Sequence, residues 1–350
     1  MRCALVEFNE FHGHILSTFV HLLNQVVGEV DVYLRQQVLD GAPFGHCPDL
    51  RYRVRVLESP ATRARLRLRG LSGYDLVVVT SVEPRSVLRR LEEITAPLVG
   101  VIHNAVLLEE DPEYRTFFAE PGRRALALAR HVAEGCPPTL GARWVAPVLV
   151  MERSEQRSAD WRRFCVDGRI DFKRRNYWSL LDALSELKSE GTSGIEVMLL
   201  GGDRDLDGLR LRREVRERGL ESAFTQPAEG EFSYARSLEG IASSGFLLPL
   251  VDTTSALFSP YFRDKISSSV WTALGVGRIP VMHHRLAELY GLESLSLPYR
   301  DGELADAMKR ALKLDDDARQ TLVDGLHARR LELLESSRDN LRATLQDLGL

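Results

Sequence analysis

Apolar and polar positions along the chain fall into two alternating series. In the first, the runs "CALVEF", "VDVYL" (30–34), "DLVVVT" (75–80) and "PLVGVIHN" (97–104) are short and apolar, and they read as strands. The segments "HILSTFVHLLNQVV" and "EPRSVLRRLEEI" between them carry apolar residues at helical spacing. Strands without a polar side need a sheet covered on both faces, which predicts a parallel sheet with helices above and below it. The alternation stops in "GCPPTLGARWVAPVLVMERSEQRSADWRRF" (135–164), where prolines, glycines and a charged run mark a domain junction.

Beyond the junction the series restarts. "RFCVDGRI", "IEVMLLGG", "FLLPLV" and "RIPVMH" read as strands; "YWSLLDALSELKSEG", "DGLRLRREVRERGL", "FSYARSLEGIASSG" and the stretch after the serines in "DKISSSVWTALGVG" read as helices. The run from Glu303 to Leu350 is helical and charged, in two helices parted near "KLDDD". The expected fold class is α/β, with two Rossmann-like domains facing each other across a cleft. The expected bounds are 1–150 for the first domain, 151–325 for the second and 326–350 for a helix crossing back to the first.

Composition adds limits rather than identity. A chain of 350 residues exceeds one ordinary core, and 44% hydrophobic with 27% charged residues is a globular balance. Lysine and arginine number 46 against 50 acids, a net charge of -4, which argues against a surface built for nucleic acid. The basic stretch "RYRVRVLESPATRARLRLRG" (51–70) reads as a strand with one solvated face and a charged connection; the sharper alternative is contact with anionic lipid at a membrane periphery or with a polyanionic acceptor. Cys3, Cys47, Cys136 and Cys165 lack C-x-x-C spacing, the amino terminus has no apolar leader, and no run is long enough to span a bilayer. The expected compartment is the cytoplasm.

Ligands of open parallel sheets lie beyond the carboxyl ends of the strands, so residues there are the candidates. "DGRIDFKRRN" (167–176) sets Gly168 and Arg169 after a strand, with Lys173, Arg174 and Arg175 in the same loop; such a cluster suits a diphosphate, or is a solvated basic loop. Ser267, Ser268 and Ser269 open a helix, where N–H groups and hydroxyls hold an anion, or where one serine merely caps the helix; Asp264 and Lys265 precede them. Gly201 and Gly202 in "LLGGDRD" permit close backbone approach, or form a tight turn. In the first half His12, His14 and His103 follow strands, where imidazole binds a sugar hydroxyl or a phosphate. His12 and His14 lack a third ligand for zinc, and His283 and His284 read as loop residues, or one of them enters the cleft.

Taken together, the second half resembles the nucleotide-sugar-binding half of retaining GT-B glycosyltransferases of the group-1-like family. The motifs are Gly168 and Arg169 at a strand end, Arg174 or Arg175 a few positions on, the Gly201–Gly202 turn, and "TALGVGRIPV" with Gly277, Pro280 and Val281 in order. The spacing from that glycine to the proline is one residue longer than in the group-1 pattern and looks more like the exostosin-like enzymes. The resemblance implies a nucleoside-diphosphate sugar as donor substrate with no separate cofactor or metal, its diphosphate on Arg169, Arg174 or Arg175 and Ser267–Ser269. It implies His103 at the donor sugar, by layout, and a glycan, lipid-linked or other acceptor. Where the family carries two glutamates, this chain has Asp264 and Thr272. Two other readings stay open, the first of them because the second, ribose-holding carboxylate is absent. One is a catalytically silent binding protein; the other is a nucleotide-sugar epimerase of the same fold, for which Glu7, Glu10, His12 and His14 supply carboxylates and imidazoles. No phosphate-loop, nucleophile-elbow or H-E-x-x-H pattern is present.

Overall fold

The apolar run at the amino terminus forms strand β1 (Cys3–Val6), and all four of its side chains are buried, as a strand covered on both faces requires. In the computed structural model, which describes residues 1–10, 12–47, 49–83, 85–149, 159–202, 205–225 and 234–350, it lies inside the first of two parallel sheets. That sheet continues with β2 (Val30–Leu34), β3 (Tyr52–Val56), β4 (Leu76–Val79), β5 (Leu98–Ile102), β6 (Arg123–Ala127) and β7 (Arg143–Trp144), in the order β3-β2-β1-β4-β5-β6-β7. The connections are α1 (Gly13–Val26), α2 (Gln36–Asp40), α3 (Pro60–Arg69), α4 (Arg85–Leu91), α5 (Val106–Glu110), α6 (Pro112–Ala119) and α7 (Arg130–Glu134).

Among the described residues the second sheet has six strands: β8 (Asp160–Val166), β9 (Glu196–Leu199), β10 (Phe224–Thr225), β11 (Ser244–Leu247), β12 (Ile279–His283) and β13 (Leu297–Tyr299). Their order is β10-β9-β8-β11-β12-β13. The helices are α8 (Tyr177–Ser189), α9 (Leu206–Glu217), α10 (Tyr234–Ser243), α11 (Ser268–Val276), α12 (His284–Tyr290), α13 (Leu304–Lys313) and α14 (Asp316–Gln346). Every strand pairing in both sheets is parallel. The order in which strands are added switches sides between β1 and β4 in one sheet and between β8 and β11 in the other, the places where such sheets form ligand crevices.

Two compact units result. The first comprises Met1–Val150, Arg263–Ile266 and Leu331–Leu350; the second comprises Met151–Phe262 and Ser267–Arg330. The boundary between residues 150 and 151 lies inside the stretch assigned to the junction, of which 150–158 fall outside the described residues. Helix α14 starts in the second unit and finishes in the first. There Leu341 and Leu345 join the core formed by β1, β2, β4 and α1, and the Ser337 hydroxyl takes the backbone N–H of Ala146 at 2.9 Å.

The basic stretch differs from its expected form. Residues 52–56 are the expected strand, but the connection after them is helix α3, despite the every-second-residue arginines of "RARLRLR". Local start and stop signals outweigh that alternation: Ser59 accepts the Thr62 N–H at 3.2 Å, Pro60 opens the helix and Gly70 ends it. Strands β6 and β7 and helix α6 were also not foreseen. The run "RRALA" of β6 is alanine-rich and weak in strand preference, and pairing to β5 and β7 makes it a strand.

Candidate functional site

In the second unit the candidate residues gather at the ends of β8, β9 and the start of α11. Strand β8 ends at Val166, and the chain turns through Asp167 and Gly168, whose φ of +75° suits glycine. Beside it, a Cβ at Gly201 would lie 2.2 Å from the Gly168 carbonyl oxygen and 2.9 Å from the Arg169 Cα. Glycine at 201 is therefore what lets the two turns nest. Gly202 follows in the same turn; the next two residues of "DRDLD" lie outside the described residues.

The three arginines separate by environment. The side chains of Arg169 and Arg174 are 75% and 70% exposed, and each pairs with a nearby carboxylate: Asp205 at 2.8 Å and Asp171 at 3.3 Å. Arg175 is 11% exposed and works as a brace, donating to the Arg169 carbonyl at 3.2 Å and to the Ser269 hydroxyl at 3.4 Å, with Asp167 at 3.6 Å. Two exposed guanidinium groups and one buried one are the outcome.

The serines divide their work as well. Ser269, buried, donates its hydroxyl to the Asp167 carboxylate, so that Arg175, Ser269 and Asp167 form one chain of hydrogen bonds. Ser267 is the N-cap position of α11 but makes no side-chain cap bond; its backbone N–H goes to the Tyr290 hydroxyl at 2.8 Å. The Ser268 carbonyl accepts the Thr272 hydroxyl at 3.0 Å. Thr272, standing where the resembling family has a carboxylate, is thus spent within its own helix. Gly277 ends that helix in the left-handed conformation, a structural need that explains its place in the late motif. Ser269→Ala is expected to cost about 1–2 kcal/mol, since it leaves a buried carboxylate with one donor fewer; a urea titration of the second unit reads it.

Asp264 and Lys265, expected beside the serines, belong to the first unit. Lys265 pairs with Asn104 in an isolated antiparallel bridge, and the Asp264 carbonyl accepts the Ala105 N–H at 3.0 Å. His131 Nε2 meets the Lys265 carbonyl at 3.1 Å and pins the segment from the other side.

The first unit carries its own polar cluster at the ends of β1, β4 and β5. His103 Nε2 lies 2.7 Å from the Thr80 carbonyl. A carbonyl only accepts, so the ring proton sits on Nε2 and Nδ1 presents a lone pair. Burial pushes His103 down to about 4, with the Thr80 bond opposing, and pushes His12 down to about 2, with His103 and His14 adding to the effect. Both rings are therefore neutral near pH 7. They meet edge to face with centroids 4.1 Å apart, and His12 Nδ1 is buried with no hydrogen-bond partner among the described residues.

Two carboxyls flank these rings. Glu7 is fully buried and accepts the Asn9 N–H at 2.6 Å and the Thr80 hydroxyl at 2.8 Å. Glu83 accepts the backbone N–H groups of His103 at 3.2 Å and Asn104 at 3.1 Å. Burial lifts each of them to about 7, against the pull of those hydrogen bonds. Glu10 instead pairs with Arg35 at 2.6 Å. Asp167 and Glu83 went unrecognised in the sequence, although each is the acid that follows a strand, in "VDGR" and "TSVEP". Among the described residues no group of three or more His, Cys, Asp or Glu is placed to hold a metal ion. No helix among them is long and apolar enough to cross a membrane.

No protein-family model matches the chain, and no curated protein matches it. Solved structures do. A glycosyltransferase from Rickettsia africae aligns over 99% of this chain and 98% of its own, with a TM-score of 0.66 at 10% identity. HepE from Anabaena, solved with UDP and glucose, aligns over 99% of both chains, with a TM-score of 0.67 at 12% identity. The UDP-forming α,α-trehalose-phosphate synthase from Burkholderia vietnamiensis aligns over the whole of both, with a TM-score of 0.59 at 12% identity. The likeness shows the fold: this chain has the two Rossmann-like parallel sheets of GT-B glycosyltransferases.

Proposed function

We propose that the protein is a glycosyltransferase that takes a sugar from a nucleoside-diphosphate donor bound by its second unit. The observation that carries the reading is the nested pair of turns at Gly168–Arg169 and Gly201, in a loop that carries the exposed guanidinium groups of Arg169 and Arg174 and that Arg175 ties to Ser269 at the start of α11, beside the place where the strand order of the second sheet switches sides. HepE, of the same fold, was solved with UDP and glucose, which supports a nucleotide sugar as the donor class.

In this reading Arg169 and Arg174 leave their weak carboxylate partners for the diphosphate, and Arg175 holds the turn in place without touching it. Negative charge that develops on the departing nucleotide meets donors already oriented toward it, so the leaving group is stabilised electrostatically rather than by proton transfer. His103 serves the sugar side of the reaction: its fixed Nδ1 lone pair accepts a hydrogen bond from a hydroxyl and cannot donate one. The acceptor is a glycan, a glycolipid or another hydroxyl-bearing molecule, the configuration at the anomeric carbon is retained, and the reaction needs no metal of its own.

A nucleotide-sugar screen by thermal shift tests this. One nucleoside diphosphate or its sugar, at about a hundredfold its Kd, is expected to add about 2.7 kcal/mol of stability. Arg169→Ala is expected to keep the ligand-free melting temperature, since its exposed pair contributes less than about 1 kcal/mol, and to lose most of the ligand effect. No stabilisation by any nucleotide sugar would sink the proposal.

The buried Glu7 and Glu83 beside neutral His12 and His103 favour a second reading, a nucleotide-sugar epimerase, because such carboxyls trade protons near pH 7. Conversion of the free nucleotide sugar to an isomer or to free sugar without any acceptor would favour it. Turnover that requires an added acceptor favours transfer.

A further inference from the structure

A cavity of about 640 Å³ opens in the second unit between α8, α9, the start of α13 and the loop after β11, and neither Arg169, Arg174 nor the Arg175–Ser269–Asp167 chain lines it. Its volume is that of a small-molecule site. The acids on its wall are already engaged: Asp182 pairs with Arg218 at 2.5 Å, Glu186 pairs with Lys309 at 3.0 Å, and Asp207 accepts the Phe172 N–H at 3.0 Å. Its two cations are not. Neither Lys173 nor Arg210 has a carboxylate partner among the described residues.

Arg210 is also held in place. Its guanidinium lies 4.8 Å from the centre of the Phe172 ring and 4.7 Å from that of Trp178, and those two rings are 5.2 Å apart. Aromatic faces hold a guanidinium by cation–π attraction without using its N–H donors, so the fork is oriented and its hydrogen bonds are unspent. Hydroxyl groups complete the wall. Ser255 Oγ accepts the Leu257 N–H at 3.2 Å and keeps its own proton to donate, and Ser179 lines the same cavity with its hydroxyl uncommitted among the described residues.

From this combination we propose that the cavity is a second binding site, separate from the donor residues, for an anionic hexose. The phosphate or carboxylate of the sugar bridges Lys173 and Arg210, while its hydroxyls meet Ser179, Ser255 and the free oxygen of Asp207. An anion alone has no use for the hydroxyls, and a neutral sugar leaves two cations unanswered. The site does not depend on the transferase reading, since binding there requires no nucleotide.

Isothermal titration of the full chain with D-glucose 6-phosphate, D-glucuronate, D-glucose and inorganic phosphate tests the assignment, with tryptophan fluorescence as a local reporter through Trp178. At least one anionic hexose is expected to bind, and which one binds distinguishes phosphate from carboxylate as the acid. Glucose and inorganic phosphate are each expected to bind about tenfold more weakly or not at all, and Arg210→Gln and Lys173→Gln are each expected to weaken the anionic hexose about tenfold. Lys173 sits on an exposed loop, so K173Q carries the test if R210Q lowers the melting temperature. Binding is expected to persist in R169A, which separates this site from the donor residues. Three results would each overturn the proposal: no binding of either anionic hexose, affinity unchanged in both variants, or inorganic phosphate binding as tightly as the sugar phosphate.

Discussion

Alanine at position 201 is expected to lower the melting temperature of the second unit by about 6–12 °C and to abolish its stabilisation by nucleotide sugar. The added Cβ would stand 2.2 Å from the Gly168 carbonyl oxygen, and what it meets is backbone, which cannot rotate away as a side chain does. Relief requires the turn after β8 to separate from the turn after β9. Overpacking of this kind costs about 3 kcal/mol at its upper range, and each kcal/mol moves the melting point of a unit this size by about 2–4 °C. The same movement drags Arg169 and the Gly168 carbonyl off their positions, so binding falls with stability. Gly168→Ala is the informative comparison. It forces a positive φ on alanine but meets only the Arg175 guanidinium at 2.9 Å, the far end of a long side chain. Gly73→Ala, with nothing within 4 Å of the new Cβ, is expected to change stability by less than about 0.5 kcal/mol. Scanning calorimetry of the three variants, with and without the nucleotide found by screening, separates crowding from a general effect of losing glycine. A G201A protein that melts and binds as the wild type does would refute the nesting of the two turns as a requirement.

That test also shows why some of the site was legible in the sequence and some was not. Gly168, Arg169 and the paired glycines could be found because strand ends are readable from apolar runs, and the residue types that follow them are those a phosphate requires. What the sequence withheld is which cations are free. "KRR" gives three consecutive positive charges, yet one of them is bound inward by Asp167 and Ser269, and no pattern along the chain announces a contact to a helix about a hundred residues later. The serine triplet looked like a triple set of anion donors for the same reason. Its third hydroxyl is committed to Asp167, and only three-dimensional proximity reveals that. Segment 263–266 marks a further limit. Its neighbours in sequence belong to the second unit, and its membership in the first is set by one bridge to Asn104, the Ala105 N–H on the Asp264 carbonyl and the His131 imidazole on the Lys265 carbonyl, none of which has a signature in a single chain. Strand β6 was missed because its partner strands on either side, not its own composition, make it a strand.

The cluster in the first unit leads to the other large expectation, a stability optimum near pH 6.5 with a fall on its alkaline side that Glu7→Gln reduces. Glu7 and Glu83 titrate at about 7 in the folded chain but near 4.3 when unfolded, so between those values the folded state holds more protons and stability falls as pH rises. His12, His103 and His46 act in the opposite sense. Burial lowers all three, the last two to about 4, so below pH 6.5 the unfolded chain takes up protons that the folded chain refuses, and stability falls as pH falls. Across pH 4.5–6.5 the two sets oppose each other, and above 6.5 the carboxyls act alone. Ionising Glu7 in its buried place costs about 3 kcal/mol relative to the unfolded chain. A glutamine fits the same hydrogen bonds: its carbonyl takes the Asn9 N–H, and its amide donates to Thr80 Oγ1, whose own proton can go to the Val6 carbonyl at 3.1 Å. E7Q is therefore expected to raise the melting temperature of the first unit by about 6–12 °C at pH 8 and by only a few degrees at pH 5, as followed by calorimetry across that range. Equal effects at both pH values would mean that Glu7 keeps an ordinary carboxylate charge in the folded protein. Catalytic assays of the same variant then divide the roles: if transfer survives with its pH profile unchanged, the Glu7 carboxyl braces the ends of β1 and β4 and takes no part in moving a proton. An epimerase that relied on that carboxyl would lose turnover in the variant that is more stable.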